Sequence, residues 1–215
     1  MKKTLAAYLL LSVLSSNTWA LDNADQQRLD EIQQSWARIQ YQLPDEQRTA
    51  AFAALAGQAS AFAKERPTTA EAWIWSGIVT SSWAGAQGGL GALSKVKMAK
   101  ADLEKALSLD PQALQGSAYT SLGALYDQVP GWPIGFGDAD KADQLLQQAL
   151  KINPEGIDSL YFWGDHLYRQ KRYSEAKAAL QKALLATPRP GRESADSGRR
   201  KEIQMLLIDV NKKLD

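Results

Sequence analysis

Apolar side chains return at helical intervals along this chain. Leu29, Ile32, Trp36 and Ile39 fall at offsets of 0, 3, 7 and 10, one stripe of a helix that begins near Asp22 and stops before Pro44. Phe52, Leu55, Ala59 and Phe62 repeat the spacing in a second helix, which Pro44-Asp45-Glu46 opens and Pro67 closes. Together they predict a helical hairpin over residues 21–67. The tail predicts a further amphipathic helix within residues 191–215. Its stripe is Ile203, Leu206, Leu207, Val210 and Leu214, with Arg199, Arg200, Lys201, Glu202, Asp209, Asn211, Lys212 and Lys213 expected mostly on the wet side. Convincing period-two alternation is absent, so the predicted class is all-α.

Between hairpin and tail the sequence repeats itself. Three segments end almost alike: Lys105-Ala-Leu-Ser-Leu-Asp-Pro111, Gln148-Ala-Leu-Lys-Ile-Asn-Pro154 and Lys182-Ala-Leu-Leu-Ala-Thr-Pro188. Aligned on these prolines, Ala99, Ala142 and Ala176 coincide, as do Leu103, Leu146 and Leu180, and Ala106, Ala149 and Ala183. Further upstream lie Gly77, Gly123 and Gly164. The last copy, with Leu160, Trp163, Gly164, Tyr173, Ala176, Leu180, Ala183 and Pro188, has the spacing of a tetratricopeptide repeat, whose period is about 34 residues. Small residues let paired helices approach, large ones fill the gaps, and proline ends the second helix. One copy cannot bury its apolar face alone. The expected architecture is therefore tetratricopeptide-like helical hairpin repeats over residues 68–190, stacked in a right-handed superhelix, with residues 191–215 as a C-terminal capping helix.

Two copies depart from the pattern. Gly164 to Ala176 spans 12 residues, but Gly77 to Ala99 spans 22 and Gly123 to Ala142 spans 19. The surplus lies in Ser82-Trp83-Ala-Gly85-Ala-Gln-Gly88-Gly89-Leu-Gly91 and in Val129-Pro130-Gly131-Trp132-Pro133-Ile-Gly135-Phe136-Gly137-Asp138. Both read as loops between paired helices. Their aromatics Trp83, Trp132 and Phe136 are candidates either to contact a ligand or to plug the loop onto the helices, the second being the favoured role for Trp132 and Phe136. Neither insertion carries the Gly-Lys-Ser/Thr ending of a phosphate loop. Asp138 and Asp140 suit a helix start better than a calcium site.

In stacked repeats the first helix of each copy lines an inner groove. The register assigns to it Ile74, Ile78 and Ser81, then Ser117, Thr120 and Asp127, then Asp158, Tyr161, Asp165, Tyr168 and Arg169. This mixed polar and aromatic surface suits a protein or peptide partner. His166 beside it reads as a structural imidazole hydrogen-bonded between helices.

Composition narrows the chemistry. Among 215 residues there is no cysteine and one histidine, so thiol nucleophiles, thiolate zinc sites and His-rich metal cages are excluded. No catalytic residue, cofactor or metal site is predicted. The net charge of +1 offers no footprint for nucleic acid. Residues 1–20, with Lys2 and Lys3, an apolar run from Leu5 to Leu14 and Thr18-Trp19-Ala20, read as a secretory signal peptide cleaved after Ala20. Leu21 follows where a lipoprotein would need cysteine, so the expected product is periplasmic, without a lipid anchor or transmembrane segment.

The runs from Ser81 to Leu93 and from Gly116 to Asp138 resemble bacterial periplasmic tetratricopeptide proteins, and within them the T-component relatives of TRAP transporters. The resemblance implies association with the transporter's extracytoplasmic substrate-binding subunit, homotrimerisation around an apolar pore and handling of hydrophobic ligands. T-components are lipoproteins, and this chain lacks the cysteine. The function expected is a non-catalytic periplasmic scaffold for protein–protein interaction; the alternative is a soluble carrier of a small hydrophobic ligand under the Trp83 and Trp132 loops.

Overall fold

The computed structural model describes residues 21–215; the expected signal peptide lies outside them. Helices α1 (Asn23–Gln42) and α2 (Asp45–Glu65) form the first hairpin, α3 (Ala70–Gln87) and α4 (Ala92–Leu109) the second, α5 (Ala113–Gln128) and α6 (Ala139–Ile152) the third, and α7 (Ile157–Arg169) and α8 (Tyr173–Leu184) the fourth. The last helix, α9 (Glu193–Leu214), packs on α8 and α7. The described residues contain no strand, and none of their helices is long and apolar enough to cross a membrane.

Local chemistry sets the helix boundaries. The Asp22 carboxylate accepts from the Asp25 amide at 2.8 Å, satisfying one of the donors a helix start leaves free. Asp138 does the same for α6, accepting from the Lys141 amide at 3.0 Å. The start of α5 is irregular. Leu114, Gln115 and Gly116 all have positive φ (46°, 55° and 76°), and the side chain of Gln115 accepts from Asn153 Nδ2 at 2.9 Å. Left-handed backbone costs a non-glycine residue about 1–2 kcal/mol.

The aligned glycines and leucines meet in space. A Cβ added at Gly77 would lie 2.6 Å from Leu103 Cγ, one at Gly123 2.8 Å from Leu146 Cγ, and one at Gly164 2.7 Å from Leu180 Cγ. Each leucine is fully buried in the helix paired with its glycine's helix. Glycine here gives up helix propensity so that a leucine from the next helix can occupy the place of a side chain.

His166 joins the third hairpin to the fourth. It is 1% exposed; its Nδ1 lies 2.8 Å from Asp127 of α5 and its Nε2 3.4 Å from Asp143 of α6. An imidazole can donate from both nitrogens only as the cation. Burial alone would lower its pKa, but Asp127 and Asp143 outweigh burial and raise it above the usual value. Trp163 stacks on the ring at 5.5 Å. Arg169 shares Asp127, and Arg172 lies near Asp143. The residue has the structural role expected of it.

The first insertion differs from its expected form. Helix α3 continues to Gln87, so Trp83 stands on a helix, with Lys95 Nζ 4.2 Å from its ring centroid. The second insertion is held by its own backbone. The Gly137 amide donates to Pro130 O at 3.0 Å, and a Cβ on Gly137 would collide with Val129 O at 1.8 Å. Phe136 packs edge-on against Tyr126 at 5.3 Å and plugs the loop, whereas Trp132 is 90% exposed and plugs nothing. In α9, Ile203 and Val210 are buried as the stripe requires, but so is Arg199, assigned above to the wet side. Its guanidinium is kept inside by carboxylate partners on two helices.

Two stability experiments follow. Gly164→Val is expected to destabilise by about 1–3 kcal/mol through overpacking, whereas Gly57→Ala, where nothing lies within 4 Å, should stabilise by about 0.5–1 kcal/mol; denaturant midpoints measure both. The stability advantage of wild type over His166→Gln is expected to be complete below the unfolded histidine pKa of about 6.5 and to fade as pH rises through the elevated folded value. Urea titrations from acid to alkaline pH read this, and a gap that widened with pH would refute it.

Candidate functional site

The inner side of the stack borders a cavity of about 1330 Å³ that is open to solvent, with residues from α1, α2, α3, α4, α5, α7 and α9 on its wall. Closure comes from α9 returning to α1. Gly198 lies flat against the Tyr41 ring, where an added Cβ would be 2.3 Å from Cγ, and Gln42 Nε2 donates to Ser194 Oγ at 2.8 Å. Tyr41 OH bonds Glu202 at 3.3 Å, and Arg192 Nη1 donates to Gln33 Oε1 at 2.7 Å. The groove expected from stacked repeats is therefore a ring-bounded chamber.

One end of the chamber is polar and aromatic. Asp158 accepts from Arg189 Nη1 and from Arg199 Nε, each at 2.8 Å. Arg189 also grips Asp196 through Nε at 2.8 Å and Nη2 at 2.5 Å, and Arg199 donates to Glu202 at 2.6 Å. A third of the Asp158 side chain remains open to the chamber. Burial would push its pKa up, yet Arg199 and Arg189 hold it down to about 2, so it is ionised throughout the physiological range. Arg199 also lies over Tyr161 at 4.3 Å and Phe162 at 4.8 Å. Trp36 meets Trp75 edge-on at 5.9 Å and Tyr41 at 5.8 Å, and its Nε1 donates to Ser82 Oγ at 2.8 Å. The wall also carries the apolar side chains of Phe52, Ile78, Val96, Leu125 and Val129, interspersed with Ser81, Ser117, Thr120 and Gln128.

The expected groove residues divide into two groups. Ile78, Ser81, Ser117, Thr120, Asp158 and Tyr161 are on the chamber wall. Ile74 is instead fully buried in the core, because α3 is enclosed by its neighbours around most of its circumference. Asp127, Asp165 and Arg169 form an ion cluster at the junction of α5 and α7, with Arg169 Nε 3.2 Å from Asp127 and 3.1 Å from Asp165. Tyr168 packs against Tyr173 in the smaller core. Arg199 covers Asp158, Tyr161 and Phe162, so the first half of α7 reaches the chamber while Tyr168 and Arg169 lie beyond it. Neither Trp83 nor Trp132 is on the wall, although their neighbours Gly88, Gly89, Leu90, Pro130 and Ile134 are.

Repeat register could not have found Arg189, Arg192 or Arg199. Arg189 lies within the joint Pro188-Arg-Pro190-Gly191 and Arg192 just after it, beyond the paired helices of the last hairpin, and Arg199 lies on the capping helix. Their concentration, three arginines within eleven residues beside a joint, was the one available signal.

Residues 134–193 match a family model described as a tetratricopeptide repeat, and residues 90–113 match a second model of that description. No curated protein matches the chain. Among solved structures, a thermophilic TPR protein of Thermus thermophilus is similar at 16% identity and a TM-score of 0.45, over 86% of this chain and 98% of that one. The matched segments include Leu103, Leu146, Gly164 and Leu180 of the glycine–leucine contacts, so the stacked hairpins are tetratricopeptide-like where those models match.

Proposed function

We propose that this chain is a non-catalytic scaffold, exported to the periplasm, that engages a protein partner at the mouth of its inner chamber. The observation that supports this reading is the position of its exposed apolar side chains. Leu90, from the first insertion, and Ile134, from the second, are both on the chamber wall, yet they are 84% and 59% exposed; Trp132 stands two residues from Ile134. An apolar rim of this kind is a surface that partners cover. Tetratricopeptide repeats are protein-binding modules, and the rim is built where two copies depart from the plain repeat.

The partner we assign is the extracytoplasmic substrate-binding subunit of a TRAP-type transporter. The likeness of residues 81–93 and 116–138 to T-components supports it, and both insertions fall largely within those runs. With Leu21 where a lipoprotein has cysteine, the scaffold would diffuse freely.

A second reading, a carrier of a small ligand, is favoured by the contact between α1 and α9. That contact bounds the groove and leaves a cavity of about 1330 Å³, larger than the roughly 300–1,000 Å³ of ordinary small-molecule sites and so roomy enough for one.

The first reading is tested by a photo-crosslinking residue placed at Trp132, or at exposed Gly57 as control, in cells of the native organism. A discrete adduct from position 132, identified by mass spectrometry as the substrate-binding subunit, is expected. Leu90→Ser with Ile134→Ser should weaken it at least about fivefold, in line with the loss of two apolar anchors. Equal adducts from both positions, or none from position 132, would overturn the assignment.

A further inference from the structure

Of the three arginines at the polar end of the chamber, two are fully engaged by carboxylates and one is not. Arg189 and Arg199 share Asp158 and take Asp196 and Glu202 besides. Arg192 has no ion-pair partner among the described residues, and the hydrogen bond from its side chain goes to the neutral amide of Gln33. Its guanidinium lies 4.9 Å over the ring of Trp75, which is itself 4% exposed. The buried side-chain polar atoms left without a partner among the described residues are Arg192 Nε and Trp75 Nε1. Both belong to this one stacked pair, and both residues are on the chamber wall.

Buried donors are almost always satisfied, and the half-buried guanidinium of Arg192 has no anion beside it among the described residues. The two orphaned donors belong to one stacked pair whose residues both line the chamber, and the partly exposed guanidinium of Arg192 is the group a ligand there would meet. Burial and neighbouring Arg189 pull the Arg192 pKa below that of an ordinary arginine, the reverse of Arg189 and Arg199, whose carboxylates stabilise the charge.

The surroundings limit the anion to a single charge. The wall carries Arg48, Arg189, Arg192 and Arg199, but also Asp45, Asp158 and Glu202, and no lysine. Asp196 engages Arg189 from behind, so the chamber as a whole has no positive field. A phosphate dianion would meet the carboxylates of Asp158 and Glu202 beside Arg192, the wall cation without a carboxylate partner among the described residues. A carboxylate needs only the bidentate edge that Arg192 can present. An apolar body has side chains to lie against, because Phe52, Ile78, Val96 and Leu125 line the wall along with Trp36 and Trp75, among polar residues such as Ser81, Ser117 and Thr120. The chamber, at about 1330 Å³, exceeds the roughly 300–1,000 Å³ of ordinary small-molecule sites.

We propose that Arg192, with Trp75 and Gln33, binds the carboxylate of a monoanionic organic acid whose apolar body lies in the chamber toward Phe52 and Val96. This rests on the carrier reading above and adds to it the chemical class of the ligand and the residue that selects it. The donors come from Arg192, at the start of α9, and from α3, with Gln33 on α1, so the site exists only while the first and last helices are in contact.

The test uses dodecanoate and dodecanol as paired probes, with tryptophan fluorescence and calorimetry on the mature chain. Wild type is expected to bind dodecanoate at least about tenfold more tightly than dodecanol, the preference a charge-assisted hydrogen-bonded pair provides. Arg192→Gln should abolish that preference by weakening dodecanoate at least about tenfold more than dodecanol, and Trp75→Phe, which keeps the ring and removes the N–H, should reduce it partly. If Arg192→Gln fails to fold, the Trp75→Phe result decides. Equal binding of acid and alcohol by wild type would overturn the Arg192 assignment and leave the carrier reading standing. Failure of both probes to bind would overturn both.

Discussion

Two helices can approach only as closely as the side chains at their crossing permit, and in three successive hairpins that position is a glycine facing a leucine. Gly77 against Leu103, Gly123 against Leu146 and Gly164 against Leu180 impose one interhelical spacing along the stack. Equal spacing gives successive hairpins equivalent outer surfaces, so each stacks on the next by related contacts. Any side chain at these glycines would displace a fully buried leucine whose neighbours are themselves close-packed. The curvature that brings α9 back to α1 accumulates from these repeated contacts.

Ring closure changes what an inner groove is. An open groove is solvated, and its charged residues cost little; a bounded chamber must satisfy the groups it encloses. The arginines around the joint before α9 illustrate the consequence. Arg189 and Arg199 are acceptable inside because Asp158, Asp196 and Glu202 meet them at hydrogen-bonding distance, and Asp158 in turn remains ionised because they do. Such ion clusters are weak sources of net stability compared with apolar packing, but they orient what surrounds them. Here they fix Tyr161 and Phe162 beneath Arg199 and leave Arg192 stacked on Trp75.

Much of the architecture was legible because local rules and repetition agreed. The stripe Leu29, Ile32, Trp36 and Ile39 is buried as its spacing required, Asp22 and Asp138 cap the helices they precede, and the aligned glycines and leucines meet. The insertions were legible as departures but not as shapes. Trp83 and Trp132 have similar glycine-rich surroundings in sequence, yet Trp83 stands on an extended helix and packs partly against the core as Phe136 does, whereas Trp132 faces solvent. Glycine-rich sequence permits many backbone paths, and the choice among them is made by backbone hydrogen bonds such as Gly137 to Pro130.

By itself, the sequence determined the helical class, the hairpin repeats and the contacts within each pair, because these depend on residues a few turns apart whose periodicity is written along the chain. It also set aside thiol and histidine-rich metal chemistry through composition. The tertiary structure alone decided that the stack closes, that Ile74 is core while Ile78 is wall, and that Arg192 is left without a carboxylate. Those outcomes depend on contacts such as Gln33 with Arg192 and Gln42 with Ser194, made across about 150 residues after every hairpin has added its rotation, and no local pattern encodes that sum.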